Sequence, residues 1–502
     1  MSREALLLLF PAFTALCLPL GTKASRLFGR LATLASSLAG LAYGLMLFPG
    51  TMLRSRPLAL AGWRLPFGSG LFLSPFSLAA VLLIYGLSAL VLGMDWKDAR
   101  LASGRGALLL CLLQVAALGL VLSADLFGLS LYLALAITSS TALASAGGGP
   151  SAYRRLFRAL VLGQLCWLLM LAGIALTYGA CGRLSLASLA RFTPLSPGYA
   201  FLAAFLILLP VLLLGRIFPF SLSAAGPWQE GDPREAAFLC ATLGVAGATL
   251  LARMLLTLMG EESAFGSALE RIHLLVLTLG AATVVAGAAA AFRAKSLAKV
   301  LDGSAVVQMG MLAVGIGAAN AAALRGALIL LVSYSAARVL LFLAVDRLKG
   351  PRARGWWREL RGAARRHPSA GALFLAGALT LMGVPLFPGF WGKIELLRGI
   401  FSSPLPKVAA LPGGCAVLAG AGLEAIVMMR VLARLYERTG AERGSQRPAG
   451  GISLAGIILA AALAVAVLLP SLLDPWLSSA VHELLDPAGD YVDAVLRMGG
   501  GI

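Results

Sequence analysis

The side chains best suited to chemistry are a lysine closing a run of prolines and glycines and a glutamate inside an apolar segment. The lysine is Lys393, the last residue of GVPLFPGFWGK at 383–393. Pro385 and Pro388, with Gly383, Gly389 and Gly392, interrupt the apolar stretch just before it. The glutamate is Glu424, in AGLEAIVMM, and a second acid, Glu395, follows Lys393 by two positions. Prolines remove backbone donors, so the freed carbonyls need protein or water as partners inside a membrane. A cation beside such a break is a known way to build an ion site at membrane depth. The chemistry on offer is proton or cation handling, with Lys393 as the exchanging group and Glu395 or Glu424 as its partner. The competing reading is a lysine that snorkels to an interface beyond a kinked helix. For Glu424 the candidate partners are Lys393 and Arg430, because an unpaired carboxylate there is costly.

Other chemistries find no support. Cys17, Cys111, Cys166, Cys181, Cys240 and Cys415 are scattered singly, without C-x-x-C, so neither zinc nor an iron–sulfur cluster is signalled. His273, His367 and His482 fall at segment ends or in loops, which excludes a histidine relay through the membrane centre. No nucleotide or flavin motif occurs, so no cofactor, metal or catalytic residue is expected in this chain.

The elements that must position these groups are membrane helices. At 502 residues, 59% hydrophobic, 13% charged and with a mean hydropathy of +0.90, the chain reads as an all-α integral membrane protein. Fourteen apolar runs have spanning length, near 5–21, 28–48, 71–93, 106–123, 126–146, 157–178, 199–220, 236–256, 273–292, 300–318, 321–345, 371–390, 408–430 and 452–473. No A-x-A site follows the first run, so it reads as an uncleaved helix rather than a signal peptide. The net charge of +19 sets topology rather than nucleic-acid binding. Most Lys and Arg fall in loops after odd-numbered spans, which places both termini on the outer face of a cell membrane. The basic stretch from Asp346 to Ser369, with Trp356 and Trp357, reads as an amphipathic piece on anionic headgroups or as a solvated loop.

One internal echo organises the spans. Span 7 reads LLPVLLLGRIFPF, with Pro210, Arg216 and Pro219, and span 12 carries GVPLFPGFWGK. Both are proline-broken with a cation beside the break, and they lie five spans apart. Spans 4–8 and 9–13 therefore read as two five-helix repeats, and the odd number makes the second inverted. The expected division is 1–105, 106–258, 273–436 and 452–502.

The stretch 292–348 then makes a family visible. Lys299, Ser304, Gln308 and Gly310 fit a pattern like D-x-K-R-x-L-A-Y-S-S-x-x-Q-x-G, and Ser335 to Leu343 occupy the place of H-A-x-x-K-A-x-L-F-L. GVPLFPGFWGK is similar to G-x-P-x-x-x-G-F-x-x-K. The chain thus resembles the antiporter-like membrane subunits of respiratory complex I, of multisubunit cation/proton antiporters and of energy-converting hydrogenases. The resemblance implies fourteen helices, two inverted repeats, and partner subunits that hold the electron chemistry. It also exposes departures. The fifth-span glutamate of that family is replaced at Ala136 or Ile137, the seventh-span lysine falls beside Arg216, and the eighth-span cation falls near Leu239. The eleventh-span lysine has become Arg338.

These departures have a physical consequence. A lysine can exchange its proton once its surroundings bring the affinity near ambient pH, whereas arginine keeps its proton. Arg216 and Arg338 are therefore expected to act as fixed charges, leaving the first repeat without an exchanging pair. Two readings follow: a proton- or cation-translocating subunit with a partly inactive channel, or a non-conducting subunit of the same kind of membrane arm. A stand-alone exporter is a third. Asp302 beside Lys299 reads as a local ion pair or a path mouth, and Arg253 as an interfacial anchor.

Overall fold

The computed structural model describes residues 5–21, 26–53, 56–59, 70–93, 104–145, 150–222, 233–260, 262–348, 360–438 and 470–485. The helices, in chain order, are α1 Leu6–Gly21, α2 Arg26–Leu53, α3 Pro75–Leu92, α4 Gly104–Leu122, α5 Leu126–Ser145 and α6 Pro150–Cys181. There follow α7 Leu186–Ala190, α8 Pro197–Leu214, α9 Pro233–Leu258, α10 Leu269–Arg293, α11 Leu297–Gly317 and α12 Ala321–Leu348. The last are α13 Ala363–Arg366, α14 Pro368–Met382, α15 Pro388–Phe401, α16 Lys407–Leu435 and α17 Pro470–Leu485. Among the described residues eleven helices are long and apolar enough to cross a membrane, and Leu6–Leu18 and Pro368–Met382 are shorter apolar helices. The span expected near 452–473 lies outside the described residues.

One element departs from an all-helical reading. Arg56–Ala59 (β1) and Gly70–Leu73 (β2) pair antiparallel, with Arg56 opposite Leu73. The GLFL of β2 is a short apolar run leading into a helix, and periodicity alone cannot separate such a run from the helix itself. The boundary is set by Ser74, whose side chain caps Ser77 N while Ser77 returns the bond, with Pro75 in the first turn.

Burial sorts the helices into a centre and a rim. The spanning windows of α9 and α11 are wholly buried, and that of α12 is 89% buried, whereas those of α2 and α6 are 28% buried. The rim helices turn Leu38, Leu45, Leu165 and Leu168 outward, as expected of helices solvated by lipid tails. The centre is drawn together by glycines. A Cβ at Gly310 would stand 2.7 Å from Val284 N, and one at Gly287 2.7 Å from Val307 N, so α10 and α11 touch backbone to backbone. Gly40 and Gly44 of the rim helix α2, spaced as G-x-x-x-G, instead leave room for side chains of α3: a Cβ at Gly40 would meet the Tyr85 ring at 2.2 Å and one at Gly44 would meet Leu82 Cδ2 at 2.8 Å.

The same device seats α15 on α12. A Cβ at Gly399 would lie 2.0 Å from Ala323 N, and one at Gly326 2.3 Å from Leu396 N. Backbone atoms cannot move aside as a flexible side chain does, so Gly399→Val must push α15 away from α12. We expect a loss of about 1–3 kcal/mol, read as a lower melting midpoint of the detergent-solubilised protein; an unchanged midpoint would contradict this packing.

Candidate functional site: a lysine–glutamate pair at a broken helix

The break lies between α14 and α15. Helix α14 has 15 residues and α15 has 14, so at about 1.5 Å per residue neither half alone crosses a hydrocarbon core of about 30 Å. Helix α14 ends at Gly383, which adopts φ 77°, a left-handed conformation that glycine takes without a Cβ penalty. Its N–H reaches the carbonyls of Leu379 and Thr380, and Val384 N reaches Leu379 O. The carbonyl of Leu381 remains, and Lys393 Nζ donates to it at 2.5 Å. Pro388 and Gly389 restart the helix, and a Cβ at Gly389 would stand 2.1 Å from Thr380 O. The proline-and-glycine run thus does two things: it ends one half-helix with an open carbonyl, and it starts the next close enough for its lysine to answer.

Lys393 is buried, and so is Glu424 on α16, with Nζ and Oε2 3.6 Å apart. Glu424 also accepts hydrogen bonds from Ser304 Oγ and Gln308 Nε2. These two donors lie four residues apart on α11, hence one above the other on a single helix face. The carboxylate has a lysine on one side and two neutral donors on another, the surroundings a buried acid requires.

Of the two acids offered by the sequence, the structure brings Glu424 to Lys393 and leaves Glu395 outside. Glu395 is partly exposed and lies 3.8 Å from Arg398, three residues along the same helix. The reason is periodicity: two residues on from Lys393, Glu395 points to a different side of α15. Arg430 does not reach Glu424 either; its guanidinium sits 4.3 Å over the Phe292 ring. Pro385 lies in the gap between α14 and α15 and Pro388 at the start of α15, while Pro219 follows a cis peptide bond past the end of α8.

Arg338, on α12, is buried and within electrostatic reach of Glu424, Tyr334 and Cys240. Arg216 has a partner that its place in the sequence does not suggest. Its guanidinium meets Asp302 through both terminal nitrogens, with Nη2 to Oδ2 at 3.0 Å, so Asp302 is not the local partner of Lys299. Arg216 stands at φ 53°, left-handed backbone that a side-chain-bearing residue adopts at a cost. That corner, just past the end of α8, turns the guanidinium toward α11. Asp302 and Ser304 lie two residues apart on α11, about 200° around the helix. One face of α11 therefore holds Arg216, just past the end of an α8 that runs unbroken through Pro210, and another face holds Glu424.

Arg253 is enclosed by protein. It is buried in a π-helical turn of α9, donates to Val121 O at 2.7 Å, and lies 3.9 Å from Glu483 of α17. Glu483 also accepts from Phe76 N at 3.1 Å, and Trp476 Nε1 donates to Pro75 O at 3.0 Å. This cluster fastens the last described helix over the start of α3 and has no part in the lysine–glutamate site. At another edge of the molecule Arg361 pairs with Glu437, which holds that carboxyl below its ordinary range, while 349–359 of the basic stretch lie outside the described residues.

Residues 115–418 match the family described as NADH:quinone oxidoreductase/Mrp antiporter, TM. The chain belongs to this family. Among relatives of this antiporter family, it is 26% identical over 439 residues to an NADH-quinone oxidoreductase subunit of Desulforudis audaxviator, covering 86% of each chain. It is 24% identical over 507 residues to an Na(+)/H(+) antiporter subunit of Bacillus subtilis, covering 98% of each. In fold it is similar to a chain of the membrane-bound sulfane sulfur reductase, an archaeal respiratory membrane complex, with a TM-score of 0.90, 21% identity, and 99% of this chain and 100% of that one covered. This is therefore a membrane protein of the NADH:quinone oxidoreductase/Mrp antiporter family, with the fold of that sulfane sulfur reductase chain.

One group escaped the sequence reading as part of a site. Ser304 was visible only as a match to a family pattern, although its spacing of four from Gln308 already placed the two on one face. Asp302 was misassigned because its partner lies 86 positions away.

Proposed function

We propose that this chain is a proton- or cation-translocating antiporter-like subunit of an energy-converting membrane complex, with conduction confined to its second half. The buried Lys393–Glu424 pair at the α14–α15 break carries this reading. A pair of exchangeable groups beside an interrupted helix can take up, share and release one proton. The first half has no comparable pair among the described residues, since Arg216 cannot release a proton and its partner Asp302 is committed to a bidentate bond. The finer architecture proposed is fourteen spans, with spans 4–8 and 9–13 as inverted repeats, in a bacterial-type inner membrane with both termini outside.

The names of the relatives point to partner subunits and leave the ion open between H+ and Na+. A second reading, a non-conducting subunit of such a membrane arm, is favoured by the arginines at 216 and 338 in place of exchangeable lysines. The stand-alone exporter predicts a chain that purifies by itself. Gentle solubilisation of the tagged chain from its own membranes, followed by mass spectrometry, separates these classes. Recovery with quinone-reductase, Mrp or sulfur-reductase-like subunits supports the assembly; recovery as a lone monodisperse species overturns it.

A further inference from the structure

Helices α10 and α16 end at the same side of the molecule. They run parallel, since a Cβ at Gly413 would lie 3.2 Å from Leu277 Cδ2 and one at Gly420 2.2 Å from Val284 Cγ1. In that register Arg430 comes level with Phe292, and its guanidinium lies 4.3 Å over the ring. Arg293 follows Phe292 directly, and Lys295 and Lys299 continue into α11. These cations are exposed, and none of them meets a carboxylate among the described residues. The acids nearest in sequence are engaged elsewhere, Asp302 by Arg216 and Glu437 by Arg361 and Arg434.

Helix length sets the depth of this patch. With 29 residues α16 is about 43 Å long against a hydrocarbon core of about 30 Å, so each end stands about 7 Å clear. Arg430 lies about 7.5 Å before the end at Leu435, which puts it at the edge of the hydrocarbon. Toward the core the same two faces are apolar, with Ile426 and Met429 of α16 and Val285 of α10 exposed. Stacking on Phe292 holds the guanidinium in place without using its N–H groups. A fixed guanidinium without an acid, cations beside it and apolar surface leading away suit a phosphate that carries acyl chains. We infer that an anionic phospholipid is held at the seam of α10 and α16, its phosphate on Arg430 beside Arg293 and its chains along Ile426, Met429 and Val285. Glu424 lies on α16, and its donors Ser304 and Gln308 lie on α11, which packs on α10. The lipid therefore ties together the helices that carry the buried acid without handling a proton itself.

The test uses the purified complex in nanodiscs holding phosphatidylglycerol or phosphatidylcholine with a photoreactive acyl chain. Irradiation is followed by peptide mass spectrometry. Cross-links at 285–292 and 426–430 should be about fivefold more frequent with phosphatidylglycerol at equal mole fraction, the ratio expected of one firm cation contact. Leu165 and Leu168, exposed on α6, report the bulk lipid and should show no preference. The double variant Arg293→Gln with Arg430→Gln should bring the ratio at the seam close to one. Phe292→Leu leaves every charge in place and should still lower the ratio by about twofold or more, because the guanidinium loses its seat. Equal labelling by the two lipids in the wild-type complex would overturn the site. So would a ratio unmoved by Phe292→Leu, which would leave only diffuse surface charge, or labelling by neither lipid, which would mean that a partner subunit covers the seam. Coupled uptake has no part in this readout, so the inference stands or falls apart from the proposed function.

Discussion

Lys393→Gln should reduce proton or cation uptake coupled to the complex by at least about tenfold, equivalent to about 1.4 kcal/mol at the limiting step, with the subunit still present in the purified complex. Glutamine can keep a hydrogen bond to Leu381 O and so preserve the end of α14, but it cannot exchange a proton. Lys393→Arg is the sharper variant. It retains the positive charge facing Glu424 and donors for the open carbonyl, yet guanidinium holds its proton under biological conditions. Loss of coupled uptake in both variants, with assembly intact, means that exchange at this position is required. Normal uptake in Lys393→Arg would reduce the group to a fixed charge and leave the non-conducting reading standing. Uptake is measured in sealed inverted membrane vesicles, with the complex content of each preparation fixed by immunoblot.

The membrane class and the broken helix were legible in the sequence because each is written in short-range chemistry. Proline, glycine and a closing lysine within eleven residues describe a half-helix end and its capping cation without any tertiary knowledge. Partners were less legible, because they are set by helix faces and packing. Glu395 is nearer than Glu424 in sequence but lies on another side of α15, while Glu424 arrives from a separate helix at 3.6 Å. Asp302 looked local to Lys299 for the same reason. Its actual partner depends on a left-handed residue at 216, a conformation that sequence preference would assign to Gly215 instead. The β-ribbon was hidden because its apolar residues read as a continuation of a span. The resemblance to antiporter-like subunits was strong where residues keep the family pattern and silent about which substitutions still connect, and the Arg216–Asp302 bond is a case of the latter.

That bond sets up the second large effect. Asp302→Asn keeps the shape and removes the carboxylate, so Arg216, a largely enclosed side chain that is 14% exposed, is left without the charge it was folded against. Breaking a buried pair from one side costs about 3–5 kcal/mol, whereas replacing both members by apolar groups is often near neutral. The single variant should therefore lower the melting midpoint of the solubilised protein sharply and deplete the subunit from the complex. The double variant Arg216→Met with Asp302→Leu should recover most of that loss, since no charge then remains unanswered. The pairing also predicts a functional asymmetry. If the first half carries no proton, the double variant should assemble and still support coupled uptake near the wild-type rate, although both ion-pair residues are gone. Assembly with uptake abolished would instead mean that protons pass through Arg216–Asp302, and the reading of an inactive first half would have to be given up.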